Sequence, residues 1–586
     1  SEPKGKIIAL GAVNRSTIIR DAGRLRNDVD KAWPGPGKGV ISAHPNLELT
    51  TAPALLVAGS DEDGASAAIA AFERDFVAKL PPRHGFAFWT THISERVNAN
   101  APAMPEARGP IAVRAARGEY ESAQAVITAF DDLSGIEVAA TPLIHATSGK
   151  EIDNKQFTRA RQNHGPLRIR WVESFPLKAE NGWTGHPDAL LDRPERELSA
   201  GRSQPLWLTF IISEQAEPGL YHSTLTCKAN GIEQHIPIEL TVRPFTIPRT
   251  GIPGDPYVSV KHLPPDDQRD LKDPHITAFV QNMVEHGMRY LHIGHKDMIR
   301  WHLDPSGGMK GANLPGFEVS EDGVLAMDAS RFDDLIRKMD AAAKPFDVRF
   351  MVYSNAVVDD AWSIARFRKE LPDRHANKPV RGGNDMLQNH YVEEMYGLYR
   401  KHVQRMGWDK RIHFKLSDEP PSFDFWWNNH TVAARNVGLP IMTAFNSIEA
   451  DEAMKGVHAV AQWEVIYMKH DARLQKAVQA AGGQYGWYNC GPPPRIAAGA
   501  PHAEIKGYLW QAAKAELDFI GWWGIQNWES HHNTWFNRYS HWNSVTYPPH
   551  PFKPAWHDKK RGTMDAVILD SIRWEIIREG LEDTAY

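Results

Sequence analysis

The segment His413-Phe414-Lys415-Leu416-Ser417-Asp418-Glu419-Pro420-Pro421 decides how the rest of the chain is read. It begins as a short strand, ends in two adjacent carboxylates and is stopped by two prolines. A helical pattern precedes it over Tyr391 to Met406, and another follows over Asn428 to Asn436. A (β/α) barrel places its catalytic acids in this way, at the carboxyl end of a strand and on the face built from the loops that follow strands. The competing reading is a solvated charged turn, so the surrounding pattern has to decide.

From about residue 250 the pattern alternates between strand and helix, which predicts a mostly parallel sheet. Eight strand candidates follow: Tyr257–Lys261, Arg289–Ile293, Asp347–Val352, Ile412–Leu416, Pro440–Ala444, His458–Gln462, Gln484–Tyr488 and Asp518–Gly524. Helical patterns such as Ile276–His286, Arg331–Lys344 and Ile505–Leu517 lie between them. This predicts a (β/α)8 TIM-barrel catalytic domain over residues 249–586, with Asp418 and Glu419 ending its fourth strand. Long loops are expected at about 295–330, 354–390 and 526–563. The last holds Trp528, Trp535, Phe536, Tyr539, Trp542, Tyr547 and Trp556. Long loops on one barrel face usually carry function.

Upstream, residues 86–248 read as a β-sandwich. Ile111–Ala115, Gln124–Thr128, Leu206–Ile212 and Ile236–Val242 are strand-like, and Asn230-Gly231 is a hairpin turn. The domain ends in the proline-marked stretch Val242–Pro248. Residues 1–85 read as a small α/β accessory domain. There the apolar strand Ala54–Gly59 leads through Ser60–Gly64 into a helix over Ala65–Leu80, with Asp61 or Asp63 near its start. The turn lacks the lysine and glycine spacing of a phosphate-binding loop.

With 67 basic and 72 acidic side chains among 586 residues, the charge balance favours neither nucleic acid nor an anionic membrane surface. No apolar run approaches the roughly 20 residues of a membrane span. Cys227 and Cys490 form neither a disulfide framework nor a metal pattern. The start at Ser1 is not a signal peptide, but a cleaved leader leaves no trace. A periplasmic or secreted location is therefore the expectation, with the cytoplasm left open. The 20 tryptophans crowd the last third of the chain, where aromatic faces can stack on sugar rings or simply fill a core.

Together these features point to a glycoside hydrolase. Its reaction needs one acid to protonate the leaving oxygen and a second group to meet positive charge at the anomeric carbon. Adjacent side chains in a straight strand point to opposite faces, so Asp418 and Glu419 can share one pocket only if the chain turns there. Adjacent carboxylates are also badly placed to lie above and below one sugar ring. That predicts a division of labour. Glu419 is the general acid/base, and Asp418 orients an acetamido group on the substrate, whose own carbonyl oxygen attacks to form an oxazolinium ion.

Strand seven reads Gln484-Tyr485-Gly486-Trp487-Tyr488-Asn489-Cys490 and carries no carboxylate to act as nucleophile. Tyr485 or Tyr488 is a candidate to steer the acetamide, with Trp487 beside them; a barrel-lining or core role is the alternative. Glu464, expected just after strand six beside Trp463, is the remaining candidate nucleophile. Trp523 and Trp528 are candidates for a sugar-binding floor, and Gln526, Asn527 and Glu529 for hydroxyl contacts. Lys261 and His262 are further substrate-binding candidates at strand one. The pairs His292/His295 and His531/His532 lack a zinc spacing and read as exposed loop histidines. Neither metal nor cofactor is expected, and the expected partner is a glycan.

The chain resembles glycoside hydrolase family 123 and the wider group of proteins sharing its catalytic domain, over about residues 86–586. The resemblance is carried by Ser417-Asp418-Glu419-Pro420, supported by Gln204–Leu208 and Pro218–Tyr221 in the sandwich and by Gly521-Trp522-Trp523 at strand eight. Ser571–Glu575 and Glu579–Asp583 near the end of the chain add to it. The N-terminal Val57–Asp61 unit looks like the accessory domain that precedes several barrel hexosaminidases. The resemblance implies a retaining, exo-acting β-N-acetylgalactosaminidase that works by substrate assistance, with Glu419 as acid/base and Asp418 stabilising the acetamide. Two other readings stay open. One is a glycosidase for a sugar without an acetamido group, using Glu464 as nucleophile. The other is a carbohydrate-binding protein without turnover.

Overall fold

The computed structural model describes residues 7–12, 34–44, 54–75, 83–103, 109–152, 165–179, 182–192, 196–248, 251–256, 273–294, 316–319, 325–353, 390–427, 431–489, 501–522, 545–547 and 569–586. The chain divides into two compact units, Ser1–His84 and Gly85–Tyr586. In the first, Ala54–Gly59 is the central strand of a three-stranded sheet, parallel to Ile7–Ala12 and antiparallel to Gly39–His44. Its helix spans Glu62–Asp75. It starts three residues earlier than predicted because Asp61 caps it, accepting a 2.8 Å bond from the Gly64 amide.

The second unit opens with two antiparallel-rich sheets. One has five strands, the other six, and the Asn230-Gly231 turn joins Gly219–Ala229 to Ile232–Thr246 in the larger. Both turn residues have positive φ, 50° and 78°, as a two-residue hairpin of this hand requires. Strand Ser203–Ile211 is buried on both faces for two different reasons. Leu206, Leu208 and Phe210 fill the space between the sheets, whereas Trp207 joins the core of the barrel.

The barrel strands are Gly254–Pro256, Tyr290–Gly294, Arg349–Tyr353, Ile412–Asp418, Ile441–Phe445, Gln462–Ile466, Gln484–Asn489 and Phe519–Trp522, here strands one to eight. Neighbours pair in parallel from strand two through to eight, and strand eight pairs with strand one. Strand one then meets the base of strand two through a Gly254–Met288 bridge, so the described barrel is nearly closed.

Two expectations shift. The predicted first strand, Tyr257–Lys261, lies outside the described residues, and the pairing begins at Gly254. The predicted sixth strand, His458–Gln462, starts at Gln462 instead. Met454–Ala459 forms a 3₁₀ helix whose Val457 is buried, which a strand-like apolar alternation imitated. Among the described residues no helix is long and apolar enough to cross a membrane.

The C-terminal helix, Ile572–Asp583, is capped by Ser571 and buried from Ile572 through Leu581. It lies between the five-stranded sheet and the barrel helices, with its charges paired inside. Arg573 meets Asp188 at 2.8 Å and Glu575 meets Arg170 at 2.9 Å. Arg578 meets Glu575 at 2.6 Å, and Glu579 meets Lys506 at 3.0 Å. Tyr547, expected in a loop over the barrel face, is buried in this same interface and donates to Asp188 at 2.7 Å.

Candidate active site

Alternation along each barrel strand separates two faces. Trp463, Tyr485 and Trp487 belong to the outward face. Trp463 packs edge-on against Trp426 with centroids 5.7 Å apart, and Trp487 stacks on Tyr508 at 6.1 Å. The Tyr485 hydroxyl accepts a 3.3 Å bond from the Asp471 amide. These three substrate-binding candidates therefore pack the layer between strands and helices, away from the mouth. Trp523, Gln526, Asn527, Trp528, Glu529, Lys261 and His262 lie outside the described residues.

The inward face carries a ladder of polar groups. At the lower level Asp255 of strand one accepts from the His292 ring at 2.5 Å and from the Gln462 side-chain amide at 3.1 Å. Gln462 in turn bonds the His413 ring at 2.8 Å. Burial lowers the His413 pKa to about 4, so the ring is neutral and Nδ1–H donates. His292 was expected to be an exposed loop residue; it is buried on strand two and held by Asp255. Its sequence partner His295 and the pair His531/His532 lie outside the described residues.

Above that level stands Lys415, with its ammonium 3.1 Å from Asp418 Oδ1 and 3.6 Å from Glu464 Oε2. Glu464 lies within strand six rather than after it, and it is 6% exposed. Burial pushes its carboxyl to about 8; Lys415 works against that shift, while Asp255 and Asp418 add to it. Burial disfavours the charge on Lys415, but Asp418 and then Glu464 outweigh it and raise its pKa. Lys415 is therefore held in its charged form against Asp418, and Glu464 is held toward its neutral form.

Two backbone irregularities bring the acid pair together. Strand four pairs Lys415 with Met442 but Ser417 with Thr443, so one extra residue is inserted between Lys415 and Ser417. Without that bulge, Lys415 and Asp418, three residues apart, would face opposite ways. With it, both face inward, opposite Met442 and Ala444. Glu419 then adopts φ of 44°, a left-handed conformation unusual for a residue with a side chain, while its amide donates to Ala444 O at 3.0 Å. That turn lets adjacent carboxylates share one mouth. Asp418 is exposed and Glu419 half-buried.

Tyr488, inward on strand seven, donates its hydroxyl to Glu419 Oε1. The structure thus brings together Asp418, Glu419 and Tyr488 from the predicted site, with Glu464 one level below. Lys415 was missed by the sequence reading.

A second polar group, His286, Asp570 and Glu575, has ligand atoms within 4.8 Å of one another. The Arg170 and Arg578 guanidiniums already meet its carboxylates, which reads as an internal ion-pair network rather than a metal centre.

No family model and no curated protein matches the sequence. Among solved structures, the chain is similar to a family 123 glycoside hydrolase from Clostridium perfringens, described for glycolipid glycan hydrolysis. That similarity has a TM-score of 0.62 and 12% identity, and covers 85% of this chain and 88% of that one. The resemblance to family 123 therefore holds at the level of fold. A family 10 xylanase with a bacterial Ig-like domain, from termite gut, covers 81% of this chain and 99% of its own at 9% identity, with a TM-score of 0.31. Bacteroides uniformis β-glucuronidase 3 covers 75% and 46% at 9% identity, with a TM-score of 0.23. Scores that low carry no argument.

Proposed function

We propose that this chain is a retaining glycoside hydrolase that removes a terminal 2-acetamido sugar, β-N-acetylgalactosaminide foremost, through an oxazolinium intermediate. The observation that carries the reading is the assembly of Asp418 and Glu419 at one mouth by a bulge followed by a left-handed turn. The fold shared with the Clostridium perfringens enzyme supports it.

Tyr488 occupies Glu419 Oε1, which leaves Oε2 to deliver a proton to the glycosidic oxygen. As that bond breaks, the acetamide carbonyl oxygen bonds to the anomeric carbon. Asp418 accepts the acetamide N–H and meets the positive charge that develops on the ring formed. Water then attacks the anomeric carbon and loses a proton to Glu419 as the bond from the acetamide oxygen to that carbon breaks, which restores the acetamide and releases the sugar with its original configuration. The only other carboxylates on the described barrel strands are Asp255 and Glu464, both buried. A neutral Glu464 held under Lys415 is poorly suited to attack carbon, so the direct-nucleophile route has less support.

Hydrolysis of nitrophenyl β-GalNAc and β-GlcNAc tests the reading. Wild type is expected to turn over at least one, and Glu419→Gln and Asp418→Asn to lose about 10²–10⁴-fold in kcat. Rates unchanged in both variants would overturn it. An inactive Glu464→Gln combined with no inhibition by a thiazoline analogue would move the assignment to a direct nucleophile.

A further inference from the structure

Lys415 has no place in the chemistry above, yet its ammonium meets Asp418 at 3.1 Å, with its side chain only 6% exposed. An ammonium on a four-carbon stem is ordinarily mobile and strongly hydrated, so burying one is costly unless acceptors replace the water. Here the acceptors come from two strands, Asp418 on four and Glu464 on six. Strand eight supplies the room. Gly521, opposite Asp255 on strand one, has no side chain, and a methyl group there would overlap Glu464 Oε1. The bulge makes the same bridge possible from strand four, because it turns Lys415 and Asp418 to one face. Three separate features of the barrel thus converge on one contact.

We propose that Lys415, seated on Glu464 in the space left by Gly521, is the positioning residue that fixes the Asp418 carboxylate at the mouth. The proposal rests on the reading that Asp418 manages the substrate's acetamide. Asp418 is the more exposed of the two acids, and a carboxylate at a solvent-facing strand end has several rotamers open to it. Orienting an amide N–H demands one. Lys415 supplies a fixed partner from below without touching the sugar. Glu464 supplies the second acceptor that keeps the ammonium from swinging away. The pair therefore acts through Asp418, and Glu464 contributes as a support rather than as a nucleophile.

The test needs a readout independent of turnover. Crystal structures of wild type and Lys415→Ala report the Asp418 carboxylate directly, which is expected to leave its wild-type position or split between rotamers. A misplacement of about 1 Å is expected to lower kcat on nitrophenyl β-GalNAc by about 100-fold, with KM changed much less. Calorimetric affinity for a thiazoline analogue is expected to fall with it. Added ethylammonium is expected to restore part of the lost rate in Lys415→Ala, a response that a merely structural lysine would not give. Should Lys415→Ala fail to fold, Gly521→Ala carries the test, since displacing Glu464 is expected to shift Asp418 in the same way. An Asp418 carboxylate unmoved in the variant crystal overturns the proposal whether or not any acetamido sugar is hydrolysed. Conversely, a wild type that neither hydrolyses acetamido sugars nor binds thiazoline overturns the functional reading and leaves the positioning result to stand on the crystal structures.

Discussion

Two groups of buried charges in this chain solve the same problem in opposite ways. Beneath the sandwich, Arg170, Arg573 and Arg578 face Asp188, Asp570 and Glu575, so positive and negative groups match, and Thr209 and Tyr547 satisfy further oxygens. In the barrel, one cation, Lys415, stands beneath Asp418 and Glu464, with Glu419 adjacent. In the first group each of these carboxylates meets a guanidinium, as an internal support should. Among the described residues, the second sets one buried cation beside several carboxylates and opens to the mouth, so Glu464 is held toward its neutral form while Asp418 and Glu419 stand where a ligand can meet them. Balance marks structure here, and imbalance beside an opening marks chemistry.

The largest expected effect tests the balanced side. Glu575 accepts from Arg170 at 2.9 Å, Arg578 at 2.6 Å and Thr209 at 2.8 Å. Burial opposes its charge, but Arg170 and Arg578 prevail and hold its carboxyl well below the usual range. Glu575→Gln removes the carboxylate that the buried Arg578 meets and one of the two that Arg170 meets, and is expected to cost about 3–5 kcal/mol in urea unfolding. Asp418→Asn takes the charge from the partner of the buried Lys415 but keeps an oxygen facing it from an exposed strand end, and is expected to cost less, about 1–2 kcal/mol. Equal losses would erase the distinction between the two groups.

A smaller effect, with a characteristic pH dependence, tests the unbalanced side. Glu464 has its carboxyl pushed to about 8 by burial, above its unfolded value, so the folded state holds a proton that the unfolded state releases. Stability is therefore expected to decline as pH rises from about 4.5 through about 8, and the decline is complete above that. Glu464→Gln has nothing to lose over that window. Relative to wild type, its unfolding free energy is expected to improve by on the order of 4 kcal/mol between pH 5 and pH 9. Parallel pH curves for the two proteins would place Glu464 among the ordinarily ionised acids, and the barrel group would then need another source of positive charge.

The comparison also explains what the sequence made legible. Barrel strands two through five, seven and eight were found within a few residues, because each is a short apolar run between helical patterns. Strand six was misplaced, since Val457 and Val460 imitate strand alternation within and just after a 3₁₀ turn. The acid pair was legible because Asp-Glu-Pro-Pro is a local signal. Lys415 was not, because a period-two reading puts it on the face opposite Asp418, and only pairing with Met442 and Thr443 reveals the extra residue. Facing was illegible for the same reason. Trp463, Tyr485 and Trp487 alternate with Glu464, Gly486 and Tyr488, and nothing in the letters says which set looks inward.

The smallest effect bears on how the mouth itself is built. Glu419 keeps φ at 44°, in the left-handed region, where a side chain crowds the backbone and costs roughly 1–2 kcal/mol. The balanced network asks no such concession of its helix, whose cap residue Ser571 is extended. If the turn is imposed by the barrel, through the bulge and the Glu419 amide bond to Ala444 O, then removing the carboxylate should not relax it. Glu419→Ala and Glu419→Gly both lose the acid and the Tyr488 bond, and in the folded state they differ in tolerance of this conformation. Glycine adopts it without crowding, so Glu419→Gly is expected to be the more stable of the two by about 1 kcal/mol in urea unfolding, although its greater freedom in the unfolded chain works against the gain. Both variants are expected to be inactive, which separates the conformational effect from the chemical one. Alanine as stable as glycine at this position would mean that the backbone relaxes once the carboxylate is gone. The turn would then be held by Glu419's own contact with Tyr488 rather than by the strand beneath it.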